Sequence, residues 1–304
     1  MHTAITIDAL KVLNAIDRKG SFAGAASELF RVPSAISYTV QKLEEDLDVA
    51  VFDRSGHRAT LTPAGRYLLN EGRSLLEATE ALAHTTRQVA QGWETRIRIG
   101  FNSLLPAELM FPAIREFYDL GIPVEVQLME EVFTGTWDAL QSRRVDLAIG
   151  ADQLSRPAGD FSTRSLGKVP FVFAVAAGHP LASADQPLTE HDISQYPAAV
   201  AADSSRSLPP GSAGIFRRQQ TVTVTNVDQK IALQEAGLGV GWLPRYRIQR
   251  QLKEGLLVEK SVDLPRDPIA VHIARRSEDQ GKALQWFWER LSQPELYRGW
   301  LDME

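Results

Sequence analysis

Five polar side chains between residues 34 and 42 are spaced so that they could contact another molecule together. Ser34, Ser37, Tyr38, Gln41 and Lys42 recur every three or four residues, which places them on one face of a helix. Their hydroxyl, amide and ammonium groups have the lengths, donors and acceptors that suit base edges and phosphates. The pattern therefore predicts a helix that reads DNA.

Two preceding helices must position this reading helix. The first ends at Gly20, which can take a turn conformation, and Ser21 can cap the second. Pro33 suits the first turn of the third helix, where its missing N–H costs nothing. Apolar residues at helical spacing predict a core shared by the first and third helices: Leu10, Leu13, Ile16, Ile36, Val40, Leu43 and Leu47.

A small β-hairpin is predicted after the reading helix. Residues 49–52 and 59–62 have strand character, and Ser55-Gly56-His57 forms the turn between them. Arg54 and Arg58 flank the tip, so the hairpin is interpreted as the wing of a winged helix-turn-helix.

The charge distribution supports DNA binding better than the net charge does. The chain carries a net charge of -5, and residues 1–66 hold eight basic and eight acidic side chains. Windows 31–43 and 54–66 nevertheless contain no acid, whereas they hold five cations: Arg31, Lys42, Arg54, Arg58 and Arg66. Phosphate contacts require such cations. Each of them, taken alone, could equally be an ordinary surface charge.

Residues 7–66 resemble the amino-terminal domain of LysR-type transcriptional regulators. The resemblance rests on residues at the family's spacings: Gly20-Ser21-Phe22, Ala25-Ala26, Leu29, Ile36-Ser37, Leu43-Glu44, Val51-Phe52, Arg54, Leu61-Thr62 and Ala64-Gly65. This chain departs from the family where a Ser-Gln-Pro run often opens the reading helix, because it has Val32-Pro33-Ser34, and it has Tyr38 where an Arg is common. The expected DNA-binding residues are Ser21, Arg31, Pro33, Ser34, Ser37, Tyr38, Gln41, Lys42, Arg54 and Arg58.

Residues 63–92 are predicted to form one long helix that Thr62 caps and Pro63 begins. Leu68, Leu75, Leu82 and Val89 repeat every seven residues, with a second apolar column beside them. Gly65, Gly72, Thr79 and Thr86 are interpreted as leaving room for another backbone, so the helix is expected to mediate dimerisation. Packing on its own chain is the alternative. The family resemblance implies antiparallel pairing, a homodimer or homotetramer, and an interrupted palindrome as the DNA site.

The remaining 212 residues alternate between strand and helix patterns, which indicates an α/β domain. "VEVQLM" and the buried run "VDLAIG" follow a first strand at Ile97 and Ile99. Further strands are predicted at 170–177, 198–202, 221–225, 239–243, 257–262 and 269–274, and helices at 227–237, 244–254 and 280–292. Together with "HPL" and "AGLGVGWLP", this order resembles the LysR effector domain, which implies the two-lobed fold of type 2 periplasmic binding proteins.

A two-lobed sheet binds its ligand at strand carboxyl ends, between the lobes. Ser103 and Thr134 are the first candidates for effector binding. Capping of a neighbouring helix is the alternative role for any one of these residues. The complete candidate set is Asn102, Ser103, Leu104, Phe133, Thr134, Gly135, Gly150, Asp203, Ser204, Asn226 and Asp228.

Other chemistries find little support in the sequence. There is no cysteine, the six histidines are scattered, and the glycine run 237–241 follows a helix instead of a strand, so no metal or cofactor is expected. A solute-binding protein and a two-lobed enzyme remain as rivals. The first is opposed by the missing leader and by residues 7–66, and the second by the lack of a nucleophile, base and orienting group.

The sequence thus predicts a winged helix-turn-helix domain at 1–62, a linker helix at 63–92 and an effector domain at 93–304. Its first lobe is expected at about 93–156 and 266–304, and its second at about 157–265. The predicted function is cytoplasmic, non-enzymatic regulation of transcription. The expected partners are double-stranded DNA, a small-molecule effector, a second copy of the chain and RNA polymerase, with no membrane.

Overall fold

A computed structural model of the chain describes residues 4–53 and 60–301. Within it, the chain divides into two compact units, Met1–Gln91 and Gly92–Glu304. The first unit is mainly helical, whereas the second is built on mixed β-sheets.

Three short helices form the core of the first unit. They are α1 (Ile7–Lys19), α2 (Phe22–Glu28) and α3 (Pro33–Leu47). Gly20 ends α1 with a left-handed φ of 69°, and the Ser21 hydroxyl accepts a hydrogen bond from the N–H of Gly24 at 3.0 Å. Ile36, Val40 and Leu43 of α3 are buried against α1 and α2. The predicted helix boundaries are confirmed, because the caps and the apolar spacing agree.

The hairpin is shorter than predicted, with β1 (Phe52–Asp53) and β2 (Thr60–Leu61) paired antiparallel. Its tip, including Arg54, Ser55, Gly56, His57 and Arg58, lies outside the described residues.

The long helix α4 (Pro63–Ala90) begins at Pro63 as predicted, and Thr62 caps it by accepting from the N–H of Gly65 at 3.0 Å. The interpretation of its glycines was wrong. A Cβ at Gly65 would lie 2.1 Å from the Val51 carbonyl oxygen, and one at Gly72 would lie 2.7 Å from Leu10. These glycines therefore allow close packing on the helix's own domain, whereas Leu75, Leu82 and Val89 beyond them are each more than half exposed.

The first lobe of the second unit is a five-stranded sheet in the order β4-β3-β5-β12-β6. Strand β3 pairs parallel with both β4 and β5, and β12 pairs antiparallel with β5 and β6. The bounds are β3 (Arg96–Asn102), β4 (Glu125–Glu131), β5 (Leu147–Asp152), β6 (Phe161–Val169) and β12 (Ile269–Arg276), with helices α5 (Phe111–Asp119), α6 (Gly135–Gln141) and α10 (Lys282–Leu291).

The second lobe contains a three-stranded sheet, β10-β7-β11, and a parallel pair, β8-β9. Hydrophobic residues of β7 fill its core on both sides of the sheet, in keeping with the continuous apolar run "FVFAVA". The bounds are β7 (Phe171–Ala176), β8 (Ala198–Ala201), β9 (Thr221–Val224), β10 (Gly241–Pro244) and β11 (Leu257–Lys260), with α7 (Glu190–Ser194), α8 (Val227–Glu235) and α9 (Gln249–Lys253).

The chain crosses between the lobes at residues 169–171 and again at 261–268. The predicted lobe boundary near residue 157 is wrong, because strand β6 pairs with β12 in the first sheet. The polar, charged composition of "FSTRSLGKV" gives this strand no apolar run, because neither of its faces is fully buried. The remaining predicted strands are confirmed within a few residues.

Candidate DNA-binding surface and interlobe cavity

The polar face of α3 is exposed, opposite the residues that α3 buries. Ser34, Ser37, Tyr38, Gln41 and Lys42 all lie on this face, and Tyr38 is 67% exposed. Because Ile36, Val40 and Leu43 fix the helix from behind, the polar side chains project together without having to support the core. The structure therefore brings together the central five residues of the predicted DNA-binding set.

Several flanking candidates have partners within the chain. Arg31 forms a bidentate ion pair with Asp8, with nitrogen-to-oxygen distances of 2.6 and 2.8 Å. This hydrogen-bonded pair raises the pKa of Arg31 and lowers the pKa of Asp8. Lys42 pairs with Asp46 at 3.3 Å, one turn along α3. Both pairs are exposed, so phosphate oxygens could replace the carboxylates at little cost.

At the start of α3, the chain has Val32-Pro33-Ser34 where the family often has Ser-Gln-Pro, and this changes the residues at the beginning of the helix. Val32 occupies the N-cap position and makes no side-chain cap, and Pro33 follows it. Phe30 beside it is 96% exposed. Sequence reasoning did not select Phe30 or Val32, because an apolar residue in a helix turn is normally assigned to the core. Both side chains are free to contact a partner next to the polar face.

In the second unit, the two lobes enclose a cavity of about 260 Å³. The carboxyl end of β3 and the loop after β4 contribute Asn102, Ser103, Leu104 and Phe133 from the first lobe. Residues 211–213, α8 and β10 line it from the second lobe. The wall is mainly apolar, with Phe133, Phe171 and Trp242 as its large aromatic side chains.

Among the predicted effector residues, Ser103 has a side-chain hydroxyl that is available to hydrogen-bond a ligand. Its side chain is 1% exposed and lines the cavity, and its Oγ has no hydrogen-bond partner within residues 4–53 and 60–301. Asn102 is already engaged, because its amide donates to Thr136 Oγ1 at 3.0 Å and its oxygen accepts from the N–H of Leu104 at 3.0 Å. A bound molecule could satisfy Ser103 without breaking any of these bonds.

Thr134, Gly135 and Asp203 do not line the cavity, and their polar groups join the lobes instead. The Asp203 carboxylate accepts hydrogen bonds from the N–H groups of Thr134 and Gly135 in the first lobe, at 3.0 and 3.2 Å. It also accepts from the N–H of Ser205 and Gly211 at 2.7 and 2.6 Å. Asp203 therefore occupies the amino terminus of α6, where the sequence predicted an effector.

The other predicted effector residues also contact the opposite lobe or pack behind the cavity. The Ser204 hydroxyl donates to Glu131, and the Asn226 amide donates to Glu130 Oε2 at 3.0 Å. Asp228 pairs with Arg247, whose guanidinium donates to the Ser103 carbonyl oxygen at 3.2 Å. A Cβ at Gly150 would lie 2.9 Å from the Cβ of Asn102, so this glycine permits close strand packing. Direct effector contact by these residues stays a prediction.

A second carboxylate, that of Asp138 in the first lobe, holds the loop that follows Asp203 in the second lobe. Asp138 of α6 is 1% exposed, and its oxygens accept from the N–H groups of Arg206, Ser207 and Leu208 at 2.8–3.1 Å. Arg144 also donates to Asp138, at 3.0 Å. Burial tends to raise the pKa of this carboxyl, but the hydrogen bonds outweigh it and hold the pKa below its usual value. The pKa of Asp203 is lowered in the same way. We call residues 203–211 the interlobe loop.

Two cationic residues of the cavity were not among the predicted effector residues, namely Lys230 on α8 and Arg266 in the second crossing segment. Lys230 Nζ donates to the Trp242 carbonyl oxygen at 2.8 Å, and the Arg266 guanidinium lies 4.1 Å above the ring of Phe171. Neither follows a strand directly, which is why a search of strand ends passed over them. Lys230 is nevertheless one helical turn from the predicted Asn226 cap, a signal that could have been used.

Within the described ranges, no group of three or more histidine or acidic side chains is arranged to hold a metal ion. A search of the same residues finds no helix with the length and apolar character needed to cross a membrane.

A helix-turn-helix unit with an exposed polar reading helix, followed by a two-lobed α/β unit, defines the class of transcriptional regulators with a ligand-sensing domain. Comparison with family models agrees with this class. "Bacterial regulatory helix-turn-helix protein, lysR family" matches residues 7–66, and "LysR substrate binding domain" matches residues 90–294. The chain belongs to the LysR-type transcriptional regulators.

Among its relatives is the "Probable HTH-type transcriptional regulator YhaJ" of Escherichia coli K12, which is 38% identical over 97% of this chain and 98% of its own length. Among solved structures, a mutant of OxyR from Corynebacterium glutamicum has a TM-score of 0.59 and 19% identity, covering 97% of this chain and 93% of OxyR. LysG from the same organism, solved with bound effector arginine, has a TM-score of 0.50 and 20% identity, covering 98% of this chain and all of LysG. These two likenesses establish the fold.

We expect Asp138→Ala to lower the free energy of unfolding of the second unit by about 3 kcal/mol, because it leaves buried donors without their carboxylate. All six tryptophans lie between residues 93 and 300, so urea unfolding followed by tryptophan fluorescence reports on this unit. Since the folded pKa of Asp138 is depressed, its contribution is present above the ordinary pKa of 3.8 and is lost as the pH falls through the folded value.

Asp119→Ala is the matched control, because Asp119 is exposed at the end of α5 and should change stability by no more than about 0.5 kcal/mol. Equal stability of the two variants at neutral pH would show that Asp138 does not hold the interlobe loop.

Proposed function

We propose that this regulator binds double-stranded DNA sequence-specifically by inserting α3 into the major groove. The observation that carries the proposal is the exposed polar face of α3 set opposite a buried apolar face. Ser34, Ser37, Tyr38 and Gln41 would contact base edges, and Lys42 and Arg31 would contact phosphates. The expected contribution of Ser21, Pro33, Arg54 and Arg58 is part of the same proposal.

We infer further that α4 pairs two copies of the chain. Leu75, Leu82 and Val89 form an exposed apolar stripe at seven-residue spacing, beyond the part of α4 that packs on its own domain. Two paired reading helices would need two half-sites, which supports an interrupted palindrome as the target. Assembly of such dimers into a homotetramer is the natural extension.

The interlobe cavity is proposed to bind a small-molecule effector that controls DNA binding geometry. Its mainly apolar wall and few convergent polar groups are those of a ligand site. The bound arginine in LysG supports this role for the fold. An effector that binds one arrangement of the lobes better than another would shift the population of DNA-bound states. Contact with RNA polymerase and a cytoplasmic site of action, beside the chromosome, complete the proposal.

The two alternative functions, a solute-binding protein and a two-lobed enzyme, have less support. A solute-binding protein has no use for the α3 surface. A two-lobed enzyme would need a nucleophile, base and orienting group around the cavity, and the described lining holds Lys230, Arg266 and Asp152 without an activated nucleophile.

Substitutions on α3 test the DNA-binding proposal. We expect Ser34→Ala and Tyr38→Ala to weaken binding to a duplex selected by this protein from a random library, by about 1–3 kcal/mol each, while binding to an unrelated duplex changes little. Lys42→Ala should weaken binding to both and reduce the slope of log affinity against log salt by about one. The measurement is fluorescence anisotropy over a salt series.

These residues are exposed, so the melting temperature of each variant should match the wild type and serves as the folding control. Equal losses on both duplexes for all three variants would contradict the assignment of α3 as the reading helix.

A charge placed on the α4 stripe tests the dimer. We expect Leu82→Glu to reduce the mass observed by sedimentation equilibrium towards that of the monomer, because a carboxylate cannot be buried unpaired in a helix interface. His84→Glu is the control, since His84 lies about 200° around the helix from Leu82. Unchanged assembly of Leu82→Glu, or equal dissociation of both variants, would rule out this stripe.

A further inference from the structure

The cavity between the lobes contains two cationic side chains that no acid neutralises. Lys230 has the Trp242 carbonyl oxygen as its hydrogen-bond acceptor, and Arg266 has the face of the Phe171 ring. Across the part of the chain that the structure describes, neither forms an ion pair with an aspartate or glutamate. Both side chains are half-buried, and cations withdrawn from water are normally paired, so this arrangement requires an explanation.

Partial burial lowers the pKa of both cations, and the charge of Arg266 contributes to the lowered pKa of Lys230. Burial, together with the nearby charge of Arg266, lowers the pKa of Lys230 to about 7. Burial also lowers the pKa of Arg266. The charged forms are thus held in an environment that disfavours them, and a nearby negative charge would relieve that cost.

The third charged residue of the lining does not supply this negative charge. Asp152 forms no ion pair with either cation, and its Oδ1 accepts from the N–H of Ser155 at 2.8 Å. With two cations and one acid, the described lining carries an excess of one positive charge. A monoanion would therefore balance the cavity.

The other lining residues indicate the chemical character of the rest of the ligand, beside its anionic group. Phe171, Trp242, Phe133 and Leu243 provide an apolar wall, and the cavity volume of about 260 Å³ suits a compact molecule with a ring or short hydrocarbon body. The unpartnered Ser103 Oγ offers one additional hydrogen bond. The arrangement separates a charged end from an apolar body.

We propose that the effector is a small organic monocarboxylate with an apolar body, and that Arg266 and Lys230 bind its carboxylate while Phe171 and Trp242 contact the body. This assignment rests on the proposed role of the cavity as the effector site and specifies the chemistry of the ligand. Arg266 lies in the second crossing segment and Phe171 at the end of the first, so the bound molecule would contact both connections between the lobes.

The proposal is tested on the full-length protein with matched probe pairs, namely acetate, benzoate and 1-naphthoate, each against its uncharged carboxamide at constant ionic strength. We expect at least one carboxylate to raise the thermal midpoint measured by tryptophan fluorescence, and its carboxamide to bind about tenfold more weakly or worse. Arg266→Gln should lose about tenfold in carboxylate affinity, and Arg266→Lys should recover part of it.

The pH dependence provides a second readout. These carboxylates stay ionised between pH 6 and 9, whereas free Lys230 loses its proton over that range. Carboxylate affinity should therefore fall as the pH rises through 7, and Lys230→Met should weaken binding and remove this dependence. Arg275→Gln is a matched control, because that guanidinium lies over Trp288 and does not line the cavity.

The outcomes separate the two levels of the proposal. If no carboxylate binds better than its carboxamide, or if Arg266→Gln and Lys230→Met bind carboxylate like the wild type, the assignment to monocarboxylates is overturned. If a carboxamide then binds to the wild type but not to Ser103→Trp, the cavity remains an effector site, but for neutral molecules. If Ser103→Trp, which fills the cavity, also leaves regulation in cells unchanged, the effector role itself fails.

Discussion

The second unit depends on two carboxylates, Asp203 and Asp138, that accept hydrogen bonds from backbone N–H groups. Asp203 of the second lobe accepts from Thr134 and Gly135 in the first, and Asp138 of the first accepts from Arg206, Ser207 and Leu208 in the second. Each lobe therefore supplies a carboxylate that accepts hydrogen bonds from backbone N–H groups of the other lobe. Charge-assisted bonds of this kind are stronger than neutral ones, and losing either carboxylate leaves several donors unpaired.

This reciprocal contact also determines where a ligand can bind. Because Asp203 already occupies the amino terminus of α6, an anion cannot take that position without displacing it. The cavity instead lies beside the interlobe loop, with Gly211 in its wall and the cations Lys230 and Arg266 on the second lobe and the second crossing segment. A ligand bound there would contact the loop and both connections between the lobes, as the proposed effector role requires.

The sequence predicted the elements better than their interactions. Spacing of apolar residues and caps such as Ser21, Thr62 and Pro33 act within a few residues, so the helices of the first unit and most strands of the second could be located in advance. Strand β6 was missed because its half-exposed, polar sequence has no apolar run. Asp203 and Thr134 were interpreted as ligand contacts because their bond joins residues 69 positions apart, which no local pattern can reveal. Lys230 and Arg266 were not predicted because neither follows a strand directly, and the cavity that unites them exists only after the lobes have packed.

Amide hydrogen exchange at the interlobe loop tests the central interaction most directly. In the wild-type protein, the N–H groups of Thr134, Gly135, Ser205 and Gly211 should be protected, because Asp203 accepts all four. In Asp203→Ala they should exchange rapidly while the amides of β3 keep their protection. Unchanged protection of these four amides in Asp203→Ala would contradict the claim that this carboxylate holds the two lobes together.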